Sequence, residues 1–423
     1  MNKLSEIPGL TGRNLLTVAV ALATILSVAN TNAQTIEDYL QEAAQNNPGL
    51  KAMHAGYEAS VQRVAQAKGW SDPMLSASAF GEMVETRLGP QSASFSIEQQ
   101  FPWFGTLNAK GEEAELTAEA VLKQFYNARN ELFYKVKSAY YPIVETAQRI
   151  DLNRDNLDIL NTYKSLATAR FSNGEGPMVD VLRIEIIIDQ LTTEIKLLER
   201  QRRSQEAEFN TLLSRSLNLP VVVPDTLLLP PVTTAHVEDS LINNPRVEAQ
   251  EKLMEAAQVR QKVARKEGMP MLGLGFNYIV IDPMPGMDHP ENGRDAYMPM
   301  FSISLPVNRK KYKAAEKEAE LMQSYYRFSR EEELNSLKGE LAVVSATIEN
   351  AHEQHESLHH HVMLTQRAIR LLLSAVENSE QNYTEVLRMQ QELIMHESER
   401  IKVVAEAWQA MAKYEYLTAR EIR

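Results

Sequence analysis

The chain switches between two hydrophobic periods, and it makes the same series of switches twice. A helical pattern opens at Thr35-Ile36-Glu37-Asp38, which resembles a capping box with a hydroxyl at the first position and an acid three residues on. It continues to about Lys68, interrupted once at Asn46-Asn47-Pro48. The period then falls to two. Leu75, Ala77 and Ala79 alternate with Ser76, Ser78 and Phe80, and Ser94 to Gln100 form a second alternating run. Gly89-Pro90 supplies turn chemistry between them. From about Thr106 to Ala169 the pattern is helical again, with only Gly111 and Pro142 against it. At 1.5 Å per residue, a helix of that extent is about 95 Å long. It stops at Ser172-Asn173-Gly174-Glu175-Gly176-Pro177, and a second helix returns. There Ile184, Ile188, Leu191, Ile195 and Leu198 keep heptad spacing, resumed at Phe209 and Leu212, which predicts antiparallel coiled-coil packing.

The second series starts at Val237 and runs helically to about Glu267. Leu272, Leu274, Phe276 and Tyr278 then alternate with Gly273, Gly275 and Asn277. After Pro283-Met284-Pro285-Gly286, Met298 to Leu305 put Phe301, Ile303 and Leu305 on one face. A long helix is expected from about Asn308 to Ala375, with a break at Glu377-Asn378-Ser379-Glu380 and a return seam of Leu387, Ile394, Ile401, Val404, Trp408 and Met411. One offset carries Asn46-Asn47-Pro48 onto Asn243-Asn244-Pro245, Glu58-Ala59 onto Glu255-Ala256 and Pro73-Met74-Leu75 onto Pro270-Met271-Leu272. With small length changes, Phe95-Ser96-Ile97 matches Phe301-Ser302-Ile303, and Val181-Leu182-Arg183 matches Val386-Leu387-Arg388. A unit of roughly 190 residues is therefore duplicated. The copies fall at 34–216 and 237–423, joined by a linker at 217–236 that holds Pro220, Pro224, Pro230 and Pro231.

Composition narrows the classes. The formal net charge of −12 disfavours nucleic-acid binding, which needs a basic face. There is no cysteine, hence no disulfide framework, thiolate metal site, cysteine nucleophile or cysteine for a lipid anchor. Residues 1–33 read as a cleaved secretory signal. Lys3 and Arg13 precede an apolar run from Leu15 to Ala29, and Thr31-Asn32-Ala33 offers a small-residue cleavage site. No later stretch is apolar over the length a membrane helix needs, so an exported chain of this kind is either soluble or spans a membrane as β-strands.

Four strands cannot close a barrel alone, since single-chain membrane barrels begin at about eight. An open sheet in lipid would leave its edges unpaired. Three chains would supply twelve strands in a ring, and their duplicated hairpins could curl into a helical tube. In this the chain resembles the TolC family of outer-membrane efflux proteins. The resemblance rests on the helix running into Asn47-Pro48 and again into Asn244-Pro245, and on Gly174 followed by Asp180-Val181-Leu182. Glu385-Val386-Leu387 stands in the second copy, and Gln100-Phe101-Pro102-Trp103-Phe104-Gly105 joins strand to helix. It covers essentially Ile36 to Arg423.

The resemblance implies a mainly α fold with a small β part. Each copy would be a strand pair plus a long antiparallel helical hairpin. A homotrimer would form a 12-stranded outer-membrane β-barrel continuous with a periplasmic α-helical barrel. The expected partners are outer-membrane lipid, a periplasmic adaptor and an inner-membrane pump of the RND type, with no cofactor, no catalysis and no nucleic acid. The resemblance places the periplasmic entrance at the two helix-turn tips. Asp180 and Glu385 match the acidic positions there, and threefold repetition would put six carboxylates at the aperture. Gly174 makes the first turn. Gln381 stands where some members carry a basic partner, while Arg183 and Arg388 lie further along their helices. It also implies that the linker forms a belt around the helical tube.

Two clusters could hold metal. Met284, Met287 and His289, followed by Met298 and Met300, crowd the second strand pair, and thioethers with imidazole suit soft ions. His355-Glu356-Ser357-Leu358-His359 satisfies the two-histidine zinc motif, with His352, His360 and His361 nearby. These lean towards the heavy-metal branch of the family, whereas methionine as apolar filler and histidines on a solvated face leave small organic toxicants as the other substrate class. Trp70, Phe80, Phe101, Trp103 and Phe104 could form an interfacial girdle or be buried at the barrel–helix junction. A periplasmic coiled-coil scaffold would explain the helices without the strands. A zinc peptidase acting through Glu356 would need a cleft beside the helix.

Overall fold

The computed structural model describes residues 35–232, 241–286, 288–378 and 383–419. The signal segment, Met287, Gln381 and part of the linker lie outside the described residues. Eleven elements follow one another: α1 (Ile36–Asn46), α2 (Pro48–Lys68), β1 (Met74–Thr86), β2 (Gly89–Phe101), α3 (Thr106–Ser172), α4 (Met178–Leu212), α5 (Pro245–Glu267), β3 (Met271–Ile281), β4 (Ala296–Ser304), α6 (Arg309–Asn378) and α7 (Thr384–Thr418).

The expected starts and stops have local causes. Thr35 Oγ1 accepts the Asp38 N–H at 3.4 Å while Asp38 accepts the Thr35 N–H at 2.9 Å, closing the capping box of α1. Asn47 caps α2 by accepting the Leu50 N–H at 3.1 Å, with Pro48 in the first turn. Asn244 repeats the device for α5, accepting from Arg246 at 2.9 Å. The long helix α3 holds 67 residues and α6 holds 70, and Pro142 sits inside α3 without ending it. Its carbonyl takes a 2.8 Å bond from Thr146 Oγ1 one turn on.

The four strands form one antiparallel sheet in the order β1-β2-β3-β4, so the two copies meet through β2 and β3. The strands of the first copy are longer than their alternation suggested. Gly89 and Pro90 are not the turn; they pair with Thr86 and Glu85, and Arg87-Leu88 makes the reversal. The register places side chains in two sets. On one face lie Leu75, Ala77, Phe95, Ile97, Leu274, Phe276, Tyr278, Tyr297, Phe301 and Ile303. On the other lie Ser76, Ser78, Ser94, Ser96, Glu98, Gly273, Gly275, Asn277, Met298, Met300 and Ser302.

The chain forms two compact units that cut across the sequence copies, each unit taking residues from both. One contains the sheet, α2, α5 and the sheet-side parts of the long helices. Within it Arg246 of α5 pairs with Glu333 at 2.6 Å and Glu340 at 3.6 Å of α6, and Lys413 of α7 reaches Glu340 at 2.7 Å. The other contains α1, α4, the turn-side parts of the long helices and the linker to residue 229.

In that second unit the expected seam is real. Ile184, Leu191, Ile195, Leu198 and Phe209 are buried, and Ile150 of α3 packs with Ile195 and Leu198. On α7 the seam drifts by one residue, burying Leu393 rather than Ile394 and Val403 beside Val404. Residues 217–228 of the linker are pinned to the helices. Tyr39 accepts the Val222 N–H at 2.9 Å, Trp408 donates to the Leu228 carbonyl at 2.7 Å, and Asn210 donates to the carbonyls of Leu217 and Leu219 at 3.0 and 2.8 Å. Tyr39 and Phe209 meet edge to face with ring centres 5.1 Å apart, and Arg215 caps the Tyr39 ring while reaching Glu42 at 3.1 Å.

Candidate functional site

Two regions carry features that packing alone does not require: the paired helix-turn tips and the sheet. The first tip ends α3 with a Schellman arrangement. Glu175 donates to the Arg170 carbonyl at 2.8 Å and Gly174 to the Phe171 carbonyl at 3.0 Å. Gly174 has φ +75 and open space around it, so it is there for its left-handed backbone. Arg170 ties the two tips together. Its guanidinium donates to the Glu175 carbonyl and to the Val376 carbonyl at the end of α6, both at 3.3 Å, and lies over the Tyr383 ring.

Below the turns, Leu160, Tyr163, Ala167, Val181, Ile184, Val376, Tyr383, Val386 and Leu387 make one shared apolar cluster. Deeper still, Gln390 of α7 donates to Asn156 of α3 at 2.7 Å, and both are buried. Two hairpins from different copies are therefore clasped together, by apolar contact at the tips and by an amide pair behind them.

The expected acidic pair is placed in two different settings. Asp180 is only 4% exposed, and its Oδ2 accepts the Tyr383 N–H at 3.4 Å, at the very start of α7. Among the described residues its Oδ1 is buried without a hydrogen-bond partner. Within the protomer it is a buried carboxylate, whereas Glu385 is an exposed one. The reason is rotational: α4 turns Asp180, Val181 and Ile184 inward and leaves Leu182 47% exposed, whereas α7 turns Val386 and Leu387 inward and leaves Glu385 exposed.

Glu385 is held by its own helix. Arg388 approaches it at 2.5 Å and also reaches Glu392 at 2.7 Å. The hydrogen bond and charge of Arg388 keep the Glu385 carboxyl below its ordinary range. Arg183 instead crosses to the second hairpin, donating to Thr384 Oγ1. Gln381 is outside the described residues, so its pairing is not described.

The metal candidates lie in separate places. Met284 sits in the β3–β4 loop, which is closed by Asn292 accepting the Met284 N–H at 2.8 Å and donating to the Met284 carbonyl at 3.0 Å. His289 is exposed, and its Nδ1 accepts the Glu291 N–H at 3.2 Å. His355 and His359 lie on α6 and belong to the other unit. Their neighbour His352 bonds the Pro230 carbonyl at 2.8 Å, and His361 stacks obliquely on His396 of α7 at 5.2 Å between ring centres. Among the described residues, no three His, Asp or Glu side chains converge as a metal ion requires. Sequence reasoning passed over His396 because nothing in the pattern pairs it with α6.

On the sheet, Phe95, Ile97, Leu274, Phe276, Tyr297, Phe301 and Ile303 stand about half exposed or more, all on one face. Fully burying such a side chain is worth about 1.5–3 kcal/mol, so this face leaves several kcal/mol unclaimed until something apolar covers it. Trp70 packs edge to face on Phe101 at 5.3 Å, at the helix end of the sheet. Trp103 and Phe104 pack on one another and are exposed. Among the described residues no helix is long and apolar enough to cross a membrane.

The protomer thus combines a four-stranded sheet, apolar on one face and polar on the other, with two long helical hairpins. Residues 39–215 match the family described as Outer membrane efflux protein. The chain is 23% identical over 234 residues to the pyoverdine export outer membrane protein OpmQ of Pseudomonas putida, a match that spans 55% of this chain and 48% of that relative. Its fold is similar to the crystal structure of CusC, with a TM-score of 0.75 and 15% identity over 90% of this chain and 91% of the other. It is also similar to VceC of Vibrio cholerae, with a TM-score of 0.71 and 16% identity over 90% and 95%. The family match covers the first part of the chain, and over 90% of its length the fold is similar to these two solved structures.

Proposed function

We propose that three copies of this chain form the outer-membrane exit duct of a tripartite efflux system. The observation that carries this reading is the amphipathic sheet with β1 and β4 as its edges. Pairing β4 of one copy with β1 of the next closes twelve strands, satisfies both edges and turns the apolar face to lipid. The duplicated hairpins then line a periplasmic tube, which receives substrate from an RND-type pump through an adaptor. A coiled-coil scaffold has no use for such a sheet.

The helix-turn tips are the entrance. Asp180 acts as a latch rather than as a free aperture charge, fastening the first return helix to the start of the second. Glu385 and Arg388 supply the exposed charges, with Arg183 bridging the hairpins. Opening would break the Asp180–Tyr383 bond and the Arg170 ties together. The exported compound is a small organic molecule, a reading supported by the similarity to OpmQ, whose name is that of a pyoverdine exporter. Metal export remains the competing substrate class, with Met284, Met287, His289, His355 and His359 as its candidates.

Fractionation tests the duct directly: the chain is expected in the outer membrane, released only by detergent, and recovery in the soluble periplasm would sink the reading. A deletion strain tests substrate. It is expected to become sensitive to drugs, bile salts or an iron-chelating organic compound, whereas selective sensitivity to copper, silver, zinc or cobalt would move the assignment to metals.

A further inference from the structure

The polar face of the sheet carries an isolated carboxylate in an arranged setting. Along one cross-strand row Met74 faces Glu98, Glu98 faces Gly275, and Gly275 faces Met300. Glu98 Oε1 accepts a 2.9 Å hydrogen bond from Ser302 Oγ, although Glu98 is on β2 and Ser302 on β4. The bond crosses β3, and it can do so because β3 has no side chains there. A Cβ on Gly273 would sit 2.1 Å from Ser302 Oγ and 3.0 Å from Glu98 Oε1, and one on Gly275 would sit 3.1 Å from Met300 Cε. The two glycines make a trough across β3 in which the carboxylate lies.

No strand contains a lysine or arginine, so nothing basic on the sheet offsets this charge. The other two strand acids lie towards the opposite end of the sheet, Glu82 within the register shift of β1 and Glu85 past it. The neighbouring rows on the same face are serine, asparagine, glutamine and methionine. Among the described strand residues Glu98 is therefore the one acidic or basic side chain at the helix end of the polar face, held in place by a side-chain hydrogen bond.

We infer that Glu98 is the charge-selecting residue of the barrel, which favours cations over anions in the lumen. This rests on the trimeric barrel proposed above, in which the polar face lines the lumen and threefold repetition places three Glu98 carboxylates in a ring. A ring of fixed carboxylates in a low-dielectric wall concentrates cations and repels anions. The glycine trough leaves room for each carboxylate to lie across β3 and reach Ser302.

The test is reversal potential in planar bilayers across a KCl gradient, with the full-length trimer. Wild type is expected to prefer potassium over chloride, and Glu98→Gln, whose amide oxygen still accepts from Ser302, to lower that permeability ratio by about threefold or more. Ser96→Lys, which adds a cation to the next row of the same face, should shift the potential in the same direction. It serves as the readout if Glu98→Gln does not assemble. Glu85→Gln, at the other end of the sheet, should shift it far less. An open Glu98→Gln channel with the wild-type potential overturns the inference and leaves the duct standing. A trimer that conducts nothing even when Asp180→Ala has released the tips overturns the barrel and this inference together.

Discussion

The two helix-turn tips have nearly the same sequence and pack differently. Asp180-Val181-Leu182-Arg183 and Glu385-Val386-Leu387-Arg388 align without a gap, yet Leu182 stands exposed while its counterpart Leu387 is 3% exposed. The buried stripe has moved by one residue, which is about 100° around a helix of 3.6 residues per turn. That rotation buries the acid of one copy against the start of α7 and leaves the acid of the other at the surface. Duplication supplies matching parts, and packing of one copy against the other decides which face of each part is used. An argument from aligned positions alone would assign both acids one role.

Replacing the matched leucines breaks the comparison most sharply. Leu387→Ala removes a buried side chain from the shared cluster and is expected to destabilise the tip by about 2–5 kcal/mol. Leu182→Ala is expected to change stability by no more than about 0.5 kcal/mol. Hydrogen exchange of the backbone amides at residues 383–387 reads both, and equal effects would mean that the two faces are not rotated.

Asp180 comes next. Asp180→Ala leaves the Tyr383 N–H without its acceptor in a buried place, an effect of about 1–3 kcal/mol. Asp180→Asn keeps an acceptor and is expected to hold the tips closed. In single-channel recordings the alanine variant should open more readily, with the asparagine variant close to wild type. If both variants recorded like wild type, the latch would be discarded.

Gly174→Ala isolates the turn itself. A left-handed backbone angle with nothing nearby to clash predicts a loss of about 1 kcal/mol from conformation alone. The smallest expected effect is titration of Glu385. Because Arg388 lowers its folded pKa, the stability it adds is complete above the unfolded carboxyl value of about 4.3 and fades as pH falls through the folded value. Carbon-13 titration of the Glu385 carboxyl should show the downward shift, and Arg388→Gln should abolish it.

Much of this molecule was legible along the chain. The capping groups at Thr35, Asn47 and Asn244, the heptad seam of α4 and the alternation in all four strands act over a few residues, so sequence spacing reports them directly. The turn after β1 was misplaced because Gly89 and Pro90, residues typical of turns, are also compatible with the edge of a ladder when Arg87-Leu88 can make the reversal. Glu98 drew no notice because its setting is made by Gly273, Gly275 and Ser302, which are remote in sequence and next to it only through β2–β3 pairing. His361 and His396 escaped for the same reason.

The sequence by itself determined the duplication, the kinds of elements in each copy and the separation of apolar from polar residues on the strands. These follow from periodicity and local backbone chemistry, which need no knowledge of distant neighbours. Only the tertiary structure decided that the two strand pairs join into one sheet, that Glu98 lies across a glycine trough, and that Asp180 is buried while Glu385 is not. Each of these depends on which way an element is turned about its own axis when it meets its partner. A shift of one residue there is invisible to a repeat, because the repeat preserves the residues and not the face they present.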